Sequence, residues 1–182
     1  MNKTVLMLLA DGVEEIEALA TRDTLLRGGI KEVMSSIMGR EVIMSQDGLL
    51  IKCDEIFTKK LDYPYDAIIL PGGGKGTQNL DRFPLMDEVL EYFFTNYRLV
   101  SAICAAPMVL GHRGYLKDKK YTCYKGCNEG LDGLYTGKEV EIDQNIITAR
   151  SMYYANDFAL EIIKYLLGEE DRLRVENSIK SK

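Results

Sequence analysis

Leu99-Val100-Ser101-Ala102-Ile103 is an apolar run that stops on Cys104 and then turns through Ala105-Ala106-Pro107. It reads as a short buried strand, and Met108-Val109-Leu110 are apolar enough to continue as a helix. A strand-to-helix turn lifts its side chain above the sheet and aims the first helix N–H groups at it. A thiol at that place is expected to have a lowered pKa and a larger thiolate fraction. The small neighbours leave room for a tight turn and for a substrate. The same stretch equally describes a buried structural cysteine at a strand end, since free cysteine is often buried.

Two other stretches could work with that thiol. Glu14, Glu15 and Glu17 follow the Asp11-Gly12 turn. On a helix Glu14 and Glu17 share a face while Glu15 points elsewhere, although acidic residues in a first helical turn are common for dipole reasons alone. Glu17 lies beside Ile16 and near Leu19, so it can turn inward. A carboxyl buried next to a thiolate is driven to stay protonated by desolvation and like charge. It can then donate to sulfur or move a proton on a substrate. The second stretch is Gly72-Gly73-Gly74-Lys75-Gly76-Thr77. It is not a Walker A loop, because Gly76 separates Lys75 from Thr77. Its simplest readings are a flexible loop after a strand, or a backbone able to approach closely and offer N–H groups. Facing Cys104, those N–H groups and that of Ala105 would form an oxyanion hole. His112 is the single histidine. It lies two turns past Cys104 and points away along the helix axis, so a Cys-His-acid triad is not expected. Any base is then a carboxylate, a tyrosine (Tyr124, Tyr153 or Tyr154) or water.

These residues need a scaffold. The chain has 182 residues, 46% hydrophobic and 28% charged, as expected of one ordinary globular domain with a sizeable core. Its net charge of -5 argues against electrostatic nucleic-acid binding. The apolar run Val5 to Ala10 is too short for a signal-peptide core or a membrane span. A cytoplasmic protein is expected, with no membrane association and with Cys53, Cys104, Cys123 and Cys127 as reduced thiols. Cys123 and Cys127 lack zinc-site spacing and a second pair, so neither a metal nor an organic cofactor is expected.

The patterning predicts a strand over Thr4 to Leu9 and a helix over Glu14 to Arg27 that buries Ile16, Leu19, Ala20 and Leu26. A strand over Glu32 to Met38 follows, then a hairpin of Glu41 to Ser45 with Leu49 to Cys53. Ala67 to Leu70 is a buried strand and Phe83 to Phe94 a helix. After the Cys104 strand come a short strand at Thr122 to Tyr124 and a hairpin of Glu139 to Ile142 with Asn145 to Ala149. A last helix, capped by Asn156 or Asp157, runs to Leu167. Residues 169–182 read as a solvated helix or a frayed charged tail on a single 1–182 domain. Buried strands alternating with helices give a doubly wound α/β fold with a mostly parallel sheet. In such folds ligands bind beyond the carboxyl ends of the strands, where the turns after Leu9, Leu70 and Ile103 converge.

The order and spacing of Ala10-Asp11-Gly12-Val13-Glu14-Glu15-Ile16-Glu17, Leu70-Pro71-Gly72-Gly73, Gln78-Asn79-Leu80 and Ala102-Ile103-Cys104-Ala105-Ala106-Pro107 resemble the DJ-1 branch of the ThiJ/PfpI family, over about Val5 to Leu167. The resemblance implies a flavodoxin-like fold and a homodimer. It also implies that Cys104 is the nucleophilic, oxidation-prone cysteine, Glu17 a buried protonated partner, and Gly73 and Ala105 backbone donors. Gly72, Tyr124 and Arg150 are expected around the pocket. The implied activity is cofactor-independent glyoxalase or deglycase chemistry on 2-oxoaldehydes such as methylglyoxal. The alternative is a redox-sensing stress protein or chaperone using the same cysteine, with Cys123 as a conceivable resolving thiol. A binding domain with an incidental cysteine is the third reading. Two departures stand out: Tyr124 replaces the histidine of animal members, and Ser151-Met152-Tyr153-Tyr154 replaces a Gly-Pro-Gly-Thr type loop. Ala105, where the protease-like branch carries histidine, argues against peptidase activity.

Overall fold

The alternation of buried strand and helix resolves into one seven-stranded sheet. A computed structural model describes residues 3–58 and 65–181; the extreme ends of the expected 1–182 domain and residues 59–64 lie outside the described residues. The elements in order are β1 (Thr4–Leu9), α1 (Glu15–Arg27), β2 (Lys31–Ser36), β3 (Val42–Met44), β4 (Leu50–Lys52), β5 (Glu55–Ile56), β6 (Ala67–Leu70), α2 (Gly74–Asp81), α3 (Met86–Thr95), β7 (Leu99–Ile103), α4 (Pro107–Gly111), β8 (Lys120–Tyr121), β9 (Leu134–Tyr135), β10 (Val140–Asp143), β11 (Ile146–Ala149), α5 (Ala155–Leu167) and α6 (Glu169–Ile179), with a 3-10 turn at Met152–Tyr154 before α5. The sheet order is β10-β11-β7-β6-β1-β2-β5, parallel except for the β10–β11 hairpin. Within it, β2-β1-β6-β7-β11 is the doubly wound order of flavodoxin-like folds, with its switch point between β1 and β6.

Period-two side-chain alternation gives the sheet two cores. Val5, Met7 and Leu9 pack with Ala18, Leu25, Phe158, Ile162 and Ile163 from α1 and α5. Leu6, Leu8 and Ala10 pack on the other face with Val89, Leu90, Phe93, Val109 and Leu110 from α3 and α4. The central strands β1, from Val5 on, and β6 are apolar throughout because both faces are covered.

Five expectations change. The buried stripe of α1 is Glu17, Ala18, Thr21, Thr24 and Leu25, whereas Ile16 and Leu26 are 45% and 48% exposed. The packing partner decides which face turns in: α5 lies against α1, and Thr24 Oγ1 donates to Asn156 Oδ1 at 3.0 Å. Asn156 is therefore inside α5, and the residue capping that helix is Tyr154. The stretch after Gly73 is a helix, α2, although its two glycines give it little intrinsic propensity. The strand expected at Thr122 to Tyr124 lies earlier, as β8, paired in parallel with β9. The charged segment after Gly168 is a helix whose Val175 is fully buried in the α1–α5 core, so it is docked and not frayed.

Candidate active site

The carboxyl ends of the adjacent parallel strands β1, β6 and β7 bring the three chemistry-bearing turns together. Cys104 is the first residue beyond β7. Its φ of +63° is in the left-handed region, which costs a non-glycine residue about 1–3 kcal/mol. Two hydrogen bonds impose it: Cys104 N–H donates to Ala149 O on β11 at 2.9 Å, and Cys104 O accepts from Tyr124 N–H at 2.8 Å. The elbow is thus held from both sides.

Glu17 comes from α1 and is fully buried. Its Oε2 accepts from Gly72 N–H at 2.7 Å. Glu14 caps α1, with its Oε2 accepting from Glu17 N–H at 2.7 Å and its own N–H donating to Gly72 O at 3.1 Å. These bonds lock the start of α1 against the turn after β6. Only glycine fits at position 72, because a Cβ there would lie 2.6 Å from Glu17 Oε2 and 2.8 Å from Cys104 Cβ. Gly73 adopts φ +90°, and a Cβ would press on the backbone of the β1–α1 turn, 2.6 Å from Glu14 N. Glu17 Oε1 is buried and satisfies no hydrogen-bond geometry; the Cys104 thiol is the side chain whose hydrogen bond bears on this carboxyl.

Burial pushes the Glu17 carboxyl up to about 7, with Glu14 adding to the rise, against hydrogen bonds from Cys104 and Gly72. The Cys104 thiol is also pushed up, first by burial and then by the charge and hydrogen bond of Glu17; the Ala105 and Gly73 N–H groups pull it down. The helix end does not produce the lowered thiol pKa expected from the sequence. α4 has only five residues and opens on Pro107, which has no N–H to aim. Cys104 and Glu17 instead compete for one proton. When the carboxyl holds it, the like charge beside sulfur disappears and Oε1 gains a donor.

A cavity of about 490 Å³ opens over the thiol. Its lining includes Glu14, Glu17, Gly73, Cys104, Ala105 and Tyr124. The structure therefore brings together the expected Cys104, Glu17, Gly73, Ala105 and Tyr124. Gly72 sits behind Glu17 as its backbone partner. Arg150 is not part of the lining: its guanidinium donates to Gly137 O and Tyr154 Oη and packs over the Tyr154 ring, bracing the 3-10 turn that brings Ser151 and Met152 to the cavity. His112 lies outside the cavity and pairs with Asp81 at 2.8 Å.

Three contributors were missed. Gln46 and Asp47, at the tip of the β3–β4 hairpin, reach the cavity. Gly12 N–H to Met44 O (2.7 Å) and Gln46 N–H to Val13 O (2.8 Å) hold them there. Cys127 is the third. It closes a turn onto Tyr124 O at 2.9 Å and lines the cavity, while Cys123 is fully buried and pushed up to about 12 by burial. The signal for the hairpin was Asp11, whose carboxylate accepts from Met44 N–H and from Arg40. Among the described residues no group of three or more His, Cys, Asp or Glu is placed to hold a metal ion.

The profile of the DJ-1/PfpI family matches residues 3–165. Protein dj-1beta of Drosophila melanogaster is 33% identical over 173 residues, covering 93% of this chain and 92% of that protein. The glutathione-independent glyoxalase DJR-1.2 of Caenorhabditis elegans is 32% identical over 172 residues, covering 93% and 91%. The crystal structure of a cysteine-to-alanine mutant of a DJ-1 superfamily protein from Salmonella typhimurium superposes with a TM-score of 0.93 at 29% identity, covering 98% of each chain.

The raised Glu17 carboxyl makes stability depend on pH. Between its ordinary 4.5 and its native value of about 7, the native state binds a proton that the unfolded chain has released. Stability therefore falls as pH rises through that window, by up to about 3 kcal/mol. Glu17→Gln removes this dependence. Glu32, also raised to about 7 by burial despite Arg22, contributes equally to both proteins. Urea unfolding at pH 5 and pH 8 is expected to show the variant gaining on the wild type at the higher pH; parallel curves would contradict the buried-carboxyl assignment.

Proposed function

The chain belongs to the DJ-1/PfpI family, and from that premise we propose that it is a cofactor-independent glyoxalase acting on 2-oxoaldehydes through Cys104. The observation that carries this reading is the fully buried Glu17 carboxyl, whose side-chain partner is the thiol at the floor of the cavity. Cys104 Sγ adds to the aldehyde carbon as its proton passes to the Glu17 carboxylate. The Gly73 and Ala105 N–H groups receive the developing oxyanion, and the Glu17 carboxyl passes the thiol's proton on to it, giving the hemithioacetal hydroxyl and a free carboxylate. The Glu17 carboxylate then takes the proton from that carbon and returns it to the neighbouring carbonyl carbon, while the hydroxyl proton passes to the neighbouring oxygen, giving a thioester of a 2-hydroxy acid. Water hydrolyses the thioester, releasing the acid and the free thiol. A base with a value of about 7 is suited to both directions of transfer near neutrality. Deglycase activity on adducts of the same aldehydes would use the same thiol and carboxyl.

Cys127 supports a second reading, a redox sensor, because it shares the cavity with Cys104. A peroxide would oxidise Cys104 to the sulfenic acid, with the peroxide reduced to water or alcohol. Attack by the Cys127 thiol would form a disulfide and release water. The position of Cys127, and not that of the fully buried Cys123, suits a resolving thiol. Four free cysteines fit a reducing compartment such as the cytoplasm, and no helix among the described residues is long and apolar enough to cross a membrane.

The β3–β4 ribbon supports a homodimer. Ile43 and Ile51 face inward and are buried, while Val42, Met44 and Leu50 are 42%, 47% and 68% exposed on its outer side. A second copy of the chain is the occupant proposed for that apolar side.

Three outcomes are expected. With methylglyoxal and no added thiol, Cys104→Ser loses at least about 10³-fold in kcat/KM for lactate formation and Glu17→Gln about 10²-fold; full activity in the serine variant would sink the glyoxalase reading. After mild peroxide, peptide mass analysis finds a Cys104–Cys127 disulfide, and Cys127→Ser stops at oxygenated Cys104. Oxygen gained by Cys53 or Cys127 ahead of Cys104 rejects the sensor reading. Sedimentation equilibrium finds a dimer for the wild type and a monomer for Leu50→Asp; a wild-type monomer refutes the dimer.

A further inference from the structure

A second space adjoins the one over Cys104. A second cavity of about 320 Å³, lined from α2, α4 and Cys127, shares Gly74, Ala105 and Cys127 with the first. The two adjoining cavities offer far more room than a three-carbon oxoaldehyde needs; cavities of several hundred Å³ hold ligands of many atoms.

The two halves differ in charge. Every charged residue lining the first is acidic: Glu14, Glu17 and Asp47. The second is lined by Gln78, Asp81, Arg82 and His112 among others. Asp81 is already engaged, by His112 Nδ1 at 2.8 Å and Arg113 at 2.5 Å. Arg82 is exposed, and among the described residues its guanidinium makes no ion pair or hydrogen bond. It follows the last residue of the eight-residue helix α2, about 12 Å of helical rise from Gly74. An anion beside the reacting carbon would meet Glu14 and Asp47. An anion several bonds away would leave them by about a Debye length and reach the free cation.

We propose that the second cavity is a subsite for an anionic tail, bound by Arg82 with Gln78, and that the site takes carbonyl substrates with a neutral reacting head and a carboxylate or phosphate at the far end. The head-group chemistry rests on the Cys104 reading above; the subsite does not. It predicts discrimination against compounds such as glyoxylate, whose charge adjoins the aldehyde.

The test compares acids with their methyl esters in the wild type, Arg82→Gln and Arg82→Lys. Turnover is measured on 4,5-dioxopentanoate and its longer homologues. Independently of turnover, the rate of Cys104 alkylation by 6-(iodoacetamido)hexanoate and by its ester is read from peptide mass. A phosphonate-tailed alkylator run alongside tells a phosphate-type tail from a carboxylate one by its larger or smaller preference over its own ester. The acid-to-ester ratio is expected to fall about fivefold in Arg82→Gln, as for a solvent-exposed charge pair of about 1 kcal/mol, and to be retained in Arg82→Lys. Equal ratios in wild type and Arg82→Gln in the alkylation assay overturn the subsite. A ratio that depends on Arg82 in alkylation, with no aldehyde turned over, leaves the subsite standing and removes the carbonyl chemistry.

Discussion

The arrangement depends on one buried contact, the 2.7 Å hydrogen bond from Gly72 N–H to Glu17 Oε2. A carboxyl with no solvent exposure is costly to hold unless its oxygens are satisfied. The chain supplies one backbone donor and leaves the other oxygen facing a thiol. The rest of the site follows from that choice. The donor must be glycine because Glu17 and Cys104 crowd it. The first turn of α1 must start at Glu15, because the Glu14 cap and the Glu14–Gly72 backbone bond fix its height. The thiol is held in a strained left-handed conformation by bonds to β11 and to the Tyr124 loop. A surface carboxylate could not do the same work, since water would take the place of both partners.

The second layer of support is polar and lies around Asp11. Its carboxylate, held below the usual range first by the hydrogen bond from Arg40, also accepts from Met44 N–H, and its backbone oxygen accepts from Asn79 Nδ2 at 2.8 Å. One residue thus ties the turn after β1 to the β3–β4 ribbon and to α2. Those are the elements that wall the cavity beside Glu17. The ribbon is short and carries little core of its own, so the Asp11 contacts fix where Gln46 and Asp47 stand.

Strand-based parts of the fold were legible because β1 and β6 are nearly continuous apolar runs and β7 and β11 are interrupted only by Ser101 and Thr148, as both faces of a parallel sheet require. The Cys104 turn was legible for the same reason: a run that stops on a cysteine and small residues marks its own end. Helix faces were harder. α1 buries Thr21 and Thr24 and exposes Ile16 and Leu26, an orientation set by α5 and by Gly72, neither of which local periodicity records. α2 was hidden by its glycines, of which Gly76 is needed where the helix N-terminus meets the Gly12 turn. The placing of Glu17 was legible as a possibility from its apolar neighbours, but the rise of the thiol was not. That depends on burial and on a carboxyl far away in sequence, whereas the expected lowering relied on a helix that proves too short and begins with proline. Arg150 and Cys127 differ by the direction of single side chains, which a sequence does not carry.

The Cys104 elbow closes only when its N–H meets Ala149 O and its carbonyl meets Tyr124, and its carboxyl partner arrives from Glu17. These pairings span most of the sheet and are long-range in sequence, the kind that forms late when a chain folds. During synthesis the thiol therefore stays ordinary and solvated until residues through Ala149 have left the ribosome and β11 has docked on β7. A nascent or partly unfolded chain carries Cys104 without the Glu17 carboxyl or the Gly73 and Ala105 N–H groups beside it, so this arrangement exists only in molecules that have completed the sheet.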